Sequence, residues 1–371
     1  MEESRTLCIC GGGSLGHTIA ASVSDKGYRV NLLTGHPGLW STDIKVTDCD
    51  GRLIEGRIHR ISDRPEEVIP SADIILLCVP GYLIQRTLRT IAPHIASERT
   101  EIGSVVSSGG FFWMAHHILG ESRRLFGFQR VPYISRGKEY GKSAELKGYK
   151  SLLKIGGNRL SDLDSLTRFF THALGTKTVA LGHYLEAALT NSNPILHPAR
   201  IYGMLSPFLT DAYDKEFLFY EEWDDASSEI LIRCDDEFQR LLARMPINRE
   251  EIPPILRYYE STDAGSLTRK IRSINAFKGI KMAMTPDGGK YRVDYTNRYF
   301  TEDIPFGLLI VKSLGTLLGE ETPTIDQILA WTQERMGKRY LVDGTLRGAD
   351  IANSGIVQNF GITTIERLYN L

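Results

Sequence analysis

Thr6-Leu7-Cys8-Ile9-Cys10-Gly11-Gly12-Gly13-Ser14-Leu15-Gly16 decides how the rest of the chain is read. The first five residues make a short, mostly apolar run of strand type. The glycines after it have the spacing G-x-G-x-x-G, and Thr18 to Val23 reads as a helix that Gly27 ends. Tyr28 to Leu33 reads as a second strand. Strand, glycine loop, helix and strand in this order are what a dinucleotide fold requires. Gly11 makes the tight turn, Gly13 lets the backbone approach a pyrophosphate, and Gly16 lets helix and strand pack closely. Ser14 and Leu15 open the helix, whose N–H groups and dipole favour phosphate.

The strands that follow are read against that start. A site for NAD usually carries Asp or Glu at the end of the second strand to hold the ribose 2′-OH. Here the chain runs Leu33-Thr34-Gly35-His36, with no acid and no arginine beside it. Thr34 and His36 accommodate a 2′-phosphate, so NADP(H) is favoured and NAD(H) is the alternative. Ala72 to Gly81 is another buried strand ending in a turn. Ligands of open α/β sheets lie outside the carboxyl ends of the strands, which puts Val79, Pro80 and Gly81 along the cofactor. Tyr82 to Ile95 reads as an amphipathic helix, and Ile102 to Phe111 repeats the strand-then-glycine theme. Ser108 to Phe111 is therefore expected to wall the place where nicotinamide meets substrate. His116 and His117 are adjacent on the next helix and do not face one another, so no metal site is expected.

Arg130 to Gly137, Lys150 to Gly157 and Thr176 to Leu181 read as closing strands, with a helix from Asp162 to Leu174. This predicts a dinucleotide-binding domain over 1–182 and a mainly helical domain over 183–371. No low-complexity linker marks Gly182, which predicts two packed domains with a cleft between them.

The 371 residues suffice for two cores, and 42% hydrophobic with 24% charged residues is ordinary for a globular protein. A net charge of −1 without charged blocks gives no support to a nucleic-acid or membrane-surface role. Met1 to Arg5 lacks the form of a signal peptide, and no apolar run approaches a membrane span. Cys8, Cys10, Cys49, Cys78 and Cys234 are odd in number and scattered, which argues for reduced thiols in the cytoplasm. Cys8 and Cys10 read as small buried hydrophobes.

In the second half, Glu229 to Arg244, Thr262 to Phe277 and Asp326 to Met336 show helical spacing, and Glu221 to Asp225 reads as a solvated helix start. Two segments there carry chemistry. In Asn191-Ser192-Asn193-Pro194-Ile195-Leu196-His197-Pro198-Ala199-Arg200, Asn193 reads as a cap and Pro194 as the first helical residue. Pro198 removes the N–H that would bond to the carbonyl of Pro194, so something outside this helix is expected to fix it. His197 lies between the prolines; on local sequence alone it is a helix-start histidine bonded to a backbone carbonyl. In Arg298 to Leu308, Thr301 reads as a cap with Asp303 in the first turn and Pro305 just inside. The helix dipole favours an ionised Asp303, and alone this is an ordinary helix-start aspartate with a surface arginine.

Together, the glycine loop, Asn193 to Pro198, Arg298 to Gly307 and the helix start Pro323-Thr324-Ile325-Asp326 resemble the octopine/nopaline (opine) dehydrogenase family over nearly the whole chain. The resemblance implies an α/β plus all-α chain, a Rossmann-type domain followed by a helical one in a 6-phosphogluconate-dehydrogenase-like arrangement. It implies NADH- or NADPH-dependent reductive condensation of a 2-keto acid with the amino group of an amino acid. The family's histidine–aspartate dyad falls on His197 and Asp303, and its carboxylate-binding arginine on Arg298. The chemistry suits these residues. Reduction of C=N needs hydride on carbon and a proton on nitrogen, a carboxylate beside histidine favours the imidazolium, and an arginine fork takes two carboxylate oxygens. Two other readings stay open. One is a hydroxy-acid dehydrogenase of the 6-phosphogluconate-dehydrogenase or ketopantoate-reductase kind, some of which use a catalytic lysine, here Lys278 or Lys281. The other is a non-catalytic NADP-binding sensor. A homodimer is expected.

Overall fold

The computed structural model describes residues 5–160, 163–208 and 212–371. Met1 to Ser4 and the expected helix start at Asp162 lie outside these residues. The chain divides into two compact units, Met1–Leu189 with Leu371, and Thr190–Asn370.

The first unit is strand-rich. Its strands are β1 (Thr6–Cys10), β2 (Arg29–Leu33), β3 (Asp43–Thr47), β4 (Leu53–Arg57), β5 (Arg60–Ser62), β6 (Ile74–Leu77), β7 (Glu101–Ser104), β8 (Arg124–Phe128), β9 (Tyr133–Glu139), β10 (Ser143–Tyr149), β11 (Leu153–Asn158) and β12 (Thr178–Ala180). Its helices are α1 (Ser14–Asp25), α2 (Pro65–Val68), α3 (Gly81–Ile91), α4 (Phe111–Leu119), α5 (Leu163–Leu174) and α6 (Leu185–Ala188). Eight strands form one sheet in the order β12-β11-β8-β7-β6-β1-β2-β5. From β8 to β5 every pairing is parallel; β11 is antiparallel to β8 and parallel to β12. β1 is buried along its whole length, as a strand covered on both faces must be. The chain leaves β1 towards β2 on one side and returns to β6 on the other. The carboxyl ends of β1 and β6 therefore form a topological switch point, where open α/β sheets bind ligands. Cys8 and Cys10 are buried free thiols within this strand.

A second sheet of four strands, β4-β3-β10-β9, corrects the expected layout. Arg130 to Gly137 does not extend the main sheet; β9 pairs with β10, which runs parallel to β3. β3 and β4 alternate exposed and buried residues, as strands with one solvated face do. The unit also ends beyond Gly182. α6 packs on β8 and β11, and Ser107 Oγ reaches the carbonyls of Phe128 and Ala187 at 3.1 and 3.0 Å. The helix after Gly182 is thus held by the strand-rich unit, and the division falls between Leu189 and Thr190.

The second unit is mainly helical: α7 (Asn193–Leu205), α8 (Asp225–Ala243), α9 (Ile255–Tyr258), α10 (Ala264–Ser273), α11 (Arg298–Thr301), α12 (Leu309–Leu318) and α13 (Pro323–Arg335). A small sheet of β13 (Ala212–Tyr213), β14 (Met284–Asp287) and β15 (Lys290–Val293) accompanies them. Asp224 caps α8 by accepting from Ser227 N–H at 2.8 Å, so only part of the acidic cluster is a solvated helix start; Trp223 inside it is buried. Glu237 of α8 accepts from the N–H groups of Thr324 and Ile325 at 2.7 and 3.0 Å, joining α8 to the first turn of α13.

Candidate active site

The glycine loop meets the requirements of a dinucleotide. Gly11 sits at φ +125°, and a Cβ there would lie 2.6 Å from the carbonyl oxygen of Cys78. A Cβ on Gly16 would run into the carbonyl oxygen of Gly11, whereas one on Gly13 would meet nothing within 4 Å. The loop is closed against the β6 end where packing demands it and open at Gly13, where α1 begins. Val79 lies against Gly11, and Pro80 precedes α3, which starts at Gly81. Ser108 lies in a short 3-10 turn, Ser107–Gly109, at the end of β7. These residues fit a nicotinamide dinucleotide: an open backbone cradle, a helix N-terminus of twelve residues, and the strand ends beside it.

Residues invisible to the motif complete the cradle. Gly141 N–H donates to His17 Nε2 at 2.6 Å, so Nδ1 of His17 carries the proton and donates to Gly13 O at 2.9 Å. Burial pushes the His17 pKa down, with the Gly13 bond opposing. Gly137 N–H donates to Ser14 Oγ at 3.0 Å. The β9–β10 turn is thereby latched to the glycine loop. Thr34 is buried, with its hydroxyl 3.3 Å from that of Tyr140 in this turn; His36 is exposed. No signal near position 34 announces Tyr140.

In the second unit, α7 begins one residue earlier than expected: Ser192, not Asn193, is the flanking residue, and it offers no side-chain cap. The expected external fixation is present. Asn191 Nδ2 donates to Asp235 Oδ1 and to Pro253 O, both at 2.8 Å. Arg200, 1% exposed, donates to Phe219 O at 3.0 Å, Ser227 Oγ at 2.9 Å and Glu222 O at 2.6 Å. A helix weakened by Pro198 is held by anchors just before its start, at Asn191, and just after the proline, at Arg200.

The Arg298 segment also differs from expectation. Asn297, not Thr301, is the cap, accepting from Tyr299 N–H at 3.1 Å. Asp303 follows α11 and leads into a π-type turn, Ile304–Leu308, in which Leu308 N–H donates to Asp303 O at 2.8 Å. Pro305 has no N–H for an ordinary helical bond, so the chain widens here before α12. A Cβ on Gly307 would lie 2.9 Å from Cβ of Pro194, so this glycine lets the turn sit on the start of α7.

That contact brings the two motifs together. Asp303 Oδ2 is 2.8 Å from His197 Nδ1, and Tyr220 hydroxyl is 2.9 Å from Nε2. With Asp303 ionised, Nδ1–H donates to the carboxylate and Nε2 accepts from the phenol. Burial raises the Asp303 pKa, and the adjacent His197 works against it. Desolvation, rather than the expected helix dipole, dominates this carboxyl. Phe219 and Tyr299 stack at 4.7 Å beside the imidazole. Arg298 is 66% exposed and donates its Nε–H to Glu302 at 2.7 Å, one helical turn on. Lys281 is ion-paired with Glu216 and Lys278 is exposed, which gives lysine chemistry no support. Tyr220 was missed because no spacing rule ties it to position 197.

Residues 180–336 match the family described as NAD/NADP octopine/nopaline dehydrogenase, alpha-helical domain. An octopine dehydrogenase of Mizuhopecten yessoensis is 29% identical, with 98% of each chain covered. Over nearly its whole length the chain is similar to octopine and opine dehydrogenases. A tauropine dehydrogenase of Arabella iricolor is 27% identical, covering 98% of this chain and 99% of that one. The structure of an octopine dehydrogenase in complex with NADH and agmatine superposes with a TM-score of 0.87 at 27% identity, covering 99% and 98% of the two chains. Residues 7–106, the first part of the strand-rich unit, match ketopantoate reductase PanE/ApbA. Like these dehydrogenase relatives, the protein is an NAD(P)-dependent oxidoreductase acting on CH–NH bonds. Among the described residues no helix is long and apolar enough to cross a membrane.

Proposed function

We infer that this opine dehydrogenase joins a 2-keto acid to the amino group of an amino acid and reduces the product to a secondary amine. The observation that carries the reading is the His197–Asp303 pair, part-buried in one unit of a chain whose other unit has an open dinucleotide cradle. The bound nicotinamide supplies hydride to the carbon of the C=N bond. His197 and Asp303 manage the protons of condensation, and Arg298 exchanges Glu302 for a substrate carboxylate. Gly11, Gly13, Ser14, Leu15 and Gly16 hold the pyrophosphate, with Val79, Pro80, Gly81 and Ser108 along the nicotinamide half. NADPH is favoured over NADH because β2 ends in Thr34 and His36 without a carboxylate. Five free cysteines support a cytoplasmic location; a homodimer rests on the family resemblance. Mass spectrometry of a mixture of NADPH, pyruvate and an amino acid panel tests the reading: a product carrying both carbon skeletons is expected.

A further inference from the structure

The glycine loop is met from outside by side chains that its own motif does not supply. A Cβ on Gly12 would lie 2.6 Å from Thr34 Oγ1, 2.9 Å from the Tyr140 hydroxyl and 3.1 Å from Trp40 Cζ2. Three polar side chains, from the end of β2, the approach to β3 and the β9–β10 turn, thus converge on one bare stretch of backbone. A dinucleotide fold passes the adenosine ribose here, between the glycine loop and the end of the second strand. Trp40 is 9% exposed, and its indole N–H is sealed without a hydrogen-bond partner among the described residues. Cζ2, the atom turned to Gly12, lies on the ring edge that carries this N–H. A buried donor of this kind asks for an acceptor. Tyr140 is built differently, with a fixed backbone and a loosely held ring. Gly141 donates to His17 Nε2 and accepts from Ser41 N–H at 2.8 Å, and Lys142 O accepts from Lys45 N–H at 3.0 Å. Tyr140 itself is 44% exposed, and its hydroxyl has one long contact, 3.3 Å to Thr34.

We propose that Tyr140 reads the 2′ position of the cofactor's adenosine ribose, with the Trp40 N–H as a fixed companion donor, and so determines which dinucleotide is preferred. This rests on the dinucleotide reading of the cradle and adds the groups that discriminate there. The chemistry suits the task. A phenol and a threonine hydroxyl each donate and accept, whereas an indole N–H only donates. A 2′-phosphate offers several acceptor oxygens to such a set, and a 2′-hydroxyl offers fewer. None of the three side chains nearest Gly12 is charged, so the set discriminates by the hydrogen bonds it completes. The swing needed to meet the 2′ group costs little, because the turn beneath Tyr140 stays clamped to α1 and β3 while the ring moves alone.

The test is fluorescence titration of NADPH and NADH against the full-length wild type, Tyr140→Phe and Tyr140→Arg, read as the ratio of the two dissociation constants. Tyr140→Phe keeps the ring and removes the hydroxyl. It should shrink the wild-type ratio by ~10-fold, through weaker binding of the preferred dinucleotide alone. Tyr140→Arg puts a planar cation in the same place and should favour NADPH over NADH by a further ~10-fold or more. Trp40→Phe should move the ratio in the same direction as Tyr140→Phe. Thermal melts check folding; if the buried Trp40 variant melts low, the two variants at the exposed Tyr140 decide. A ratio unmoved in Tyr140→Phe or in Tyr140→Arg, loss of affinity for both dinucleotides alike, or a wild type that binds the two equally overturns the proposal. The order of preference in the wild type is judged separately. A wild type that prefers NADH refutes the NADPH reading above, while Tyr140 still stands or falls by the change in ratio. A wild type that binds neither dinucleotide would instead refute the cradle beneath both.

Discussion

His197 Nδ1 and Asp303 Oδ2 lie 2.8 Å apart although 106 positions separate them in the chain. Two irregular helices make the pair: α7, with Pro198 inside it, and the wide turn after α11. They touch at Gly307 and Pro194, where neither a backbone turn nor a proline ring yields easily.

Gly307→Ala should therefore separate the pair. The added methyl overlaps Pro194, and overpacking of this kind costs about 1–3 kcal/mol. A lowered melting temperature with a lower kcat is expected, while dinucleotide affinity is retained because the glycine loop belongs to the other unit. Melting and turnover like those of the wild type would mean that the contact does not set the dyad.

The cofactor preference follows from the end of β2. Fluorescence titration should show tighter binding of NADPH than of NADH, and Thr34→Asp should reverse the order by repelling the 2′-phosphate. A clear NADH preference in the wild type would show that the Thr34–Tyr140 hydroxyl pair serves a free ribose hydroxyl instead.

Arg298 is engaged with Glu302 but largely exposed, which leaves it available to a carboxylate. Arg298→Ala should raise KM for one substrate by ~10–100-fold with kcat little changed, as loss of a charged hydrogen-bonding partner does. Arg298→Lys should recover only part, since a point charge replaces the planar fork. Unchanged KM values for both substrates would reduce Arg298 to a surface ion pair.

Asp235, which anchors Asn191, is pushed up to about 6, chiefly by burial, with bonds from Ile255 and Asn191 opposing. The neutral carboxyl is the form the fold favours. Its stabilisation is fully present below the unfolded value of 3.8 and is lost as pH rises through about 6. The effect is on the order of 3 kcal/mol at ~1.4 kcal/mol per unit. The melting temperature of Asp235→Asn relative to wild type should improve from pH 5 to pH 7.5; a flat or falling difference would contradict this.

What could be read from the sequence was what is local. β1, the glycine loop, α1 and β2 follow one another, so their spacing alone specifies the dinucleotide cradle. His197 and Asp303 were visible as odd residues beside prolines, and the family resemblance joined them. The second sheet was not visible. β3 and β4 are short and carry Lys45 and Glu55, and β3 finds its second partner in β10, far along the chain. Tyr140, His17, Tyr220 and Arg200 escaped for the same reason: each acts through a contact made only after the chain has folded.

The most direct test of the central claim is NADPH oxidation measured with one substrate and with two. A condensing enzyme transfers hydride only when keto acid and amine are held together. Negligible oxidation is expected with pyruvate alone or with any amino acid alone, and brisk oxidation when pyruvate, or a near homologue, is mixed with the right amino acid. Rapid turnover of a keto acid without amine, yielding the hydroxy acid, would contradict it.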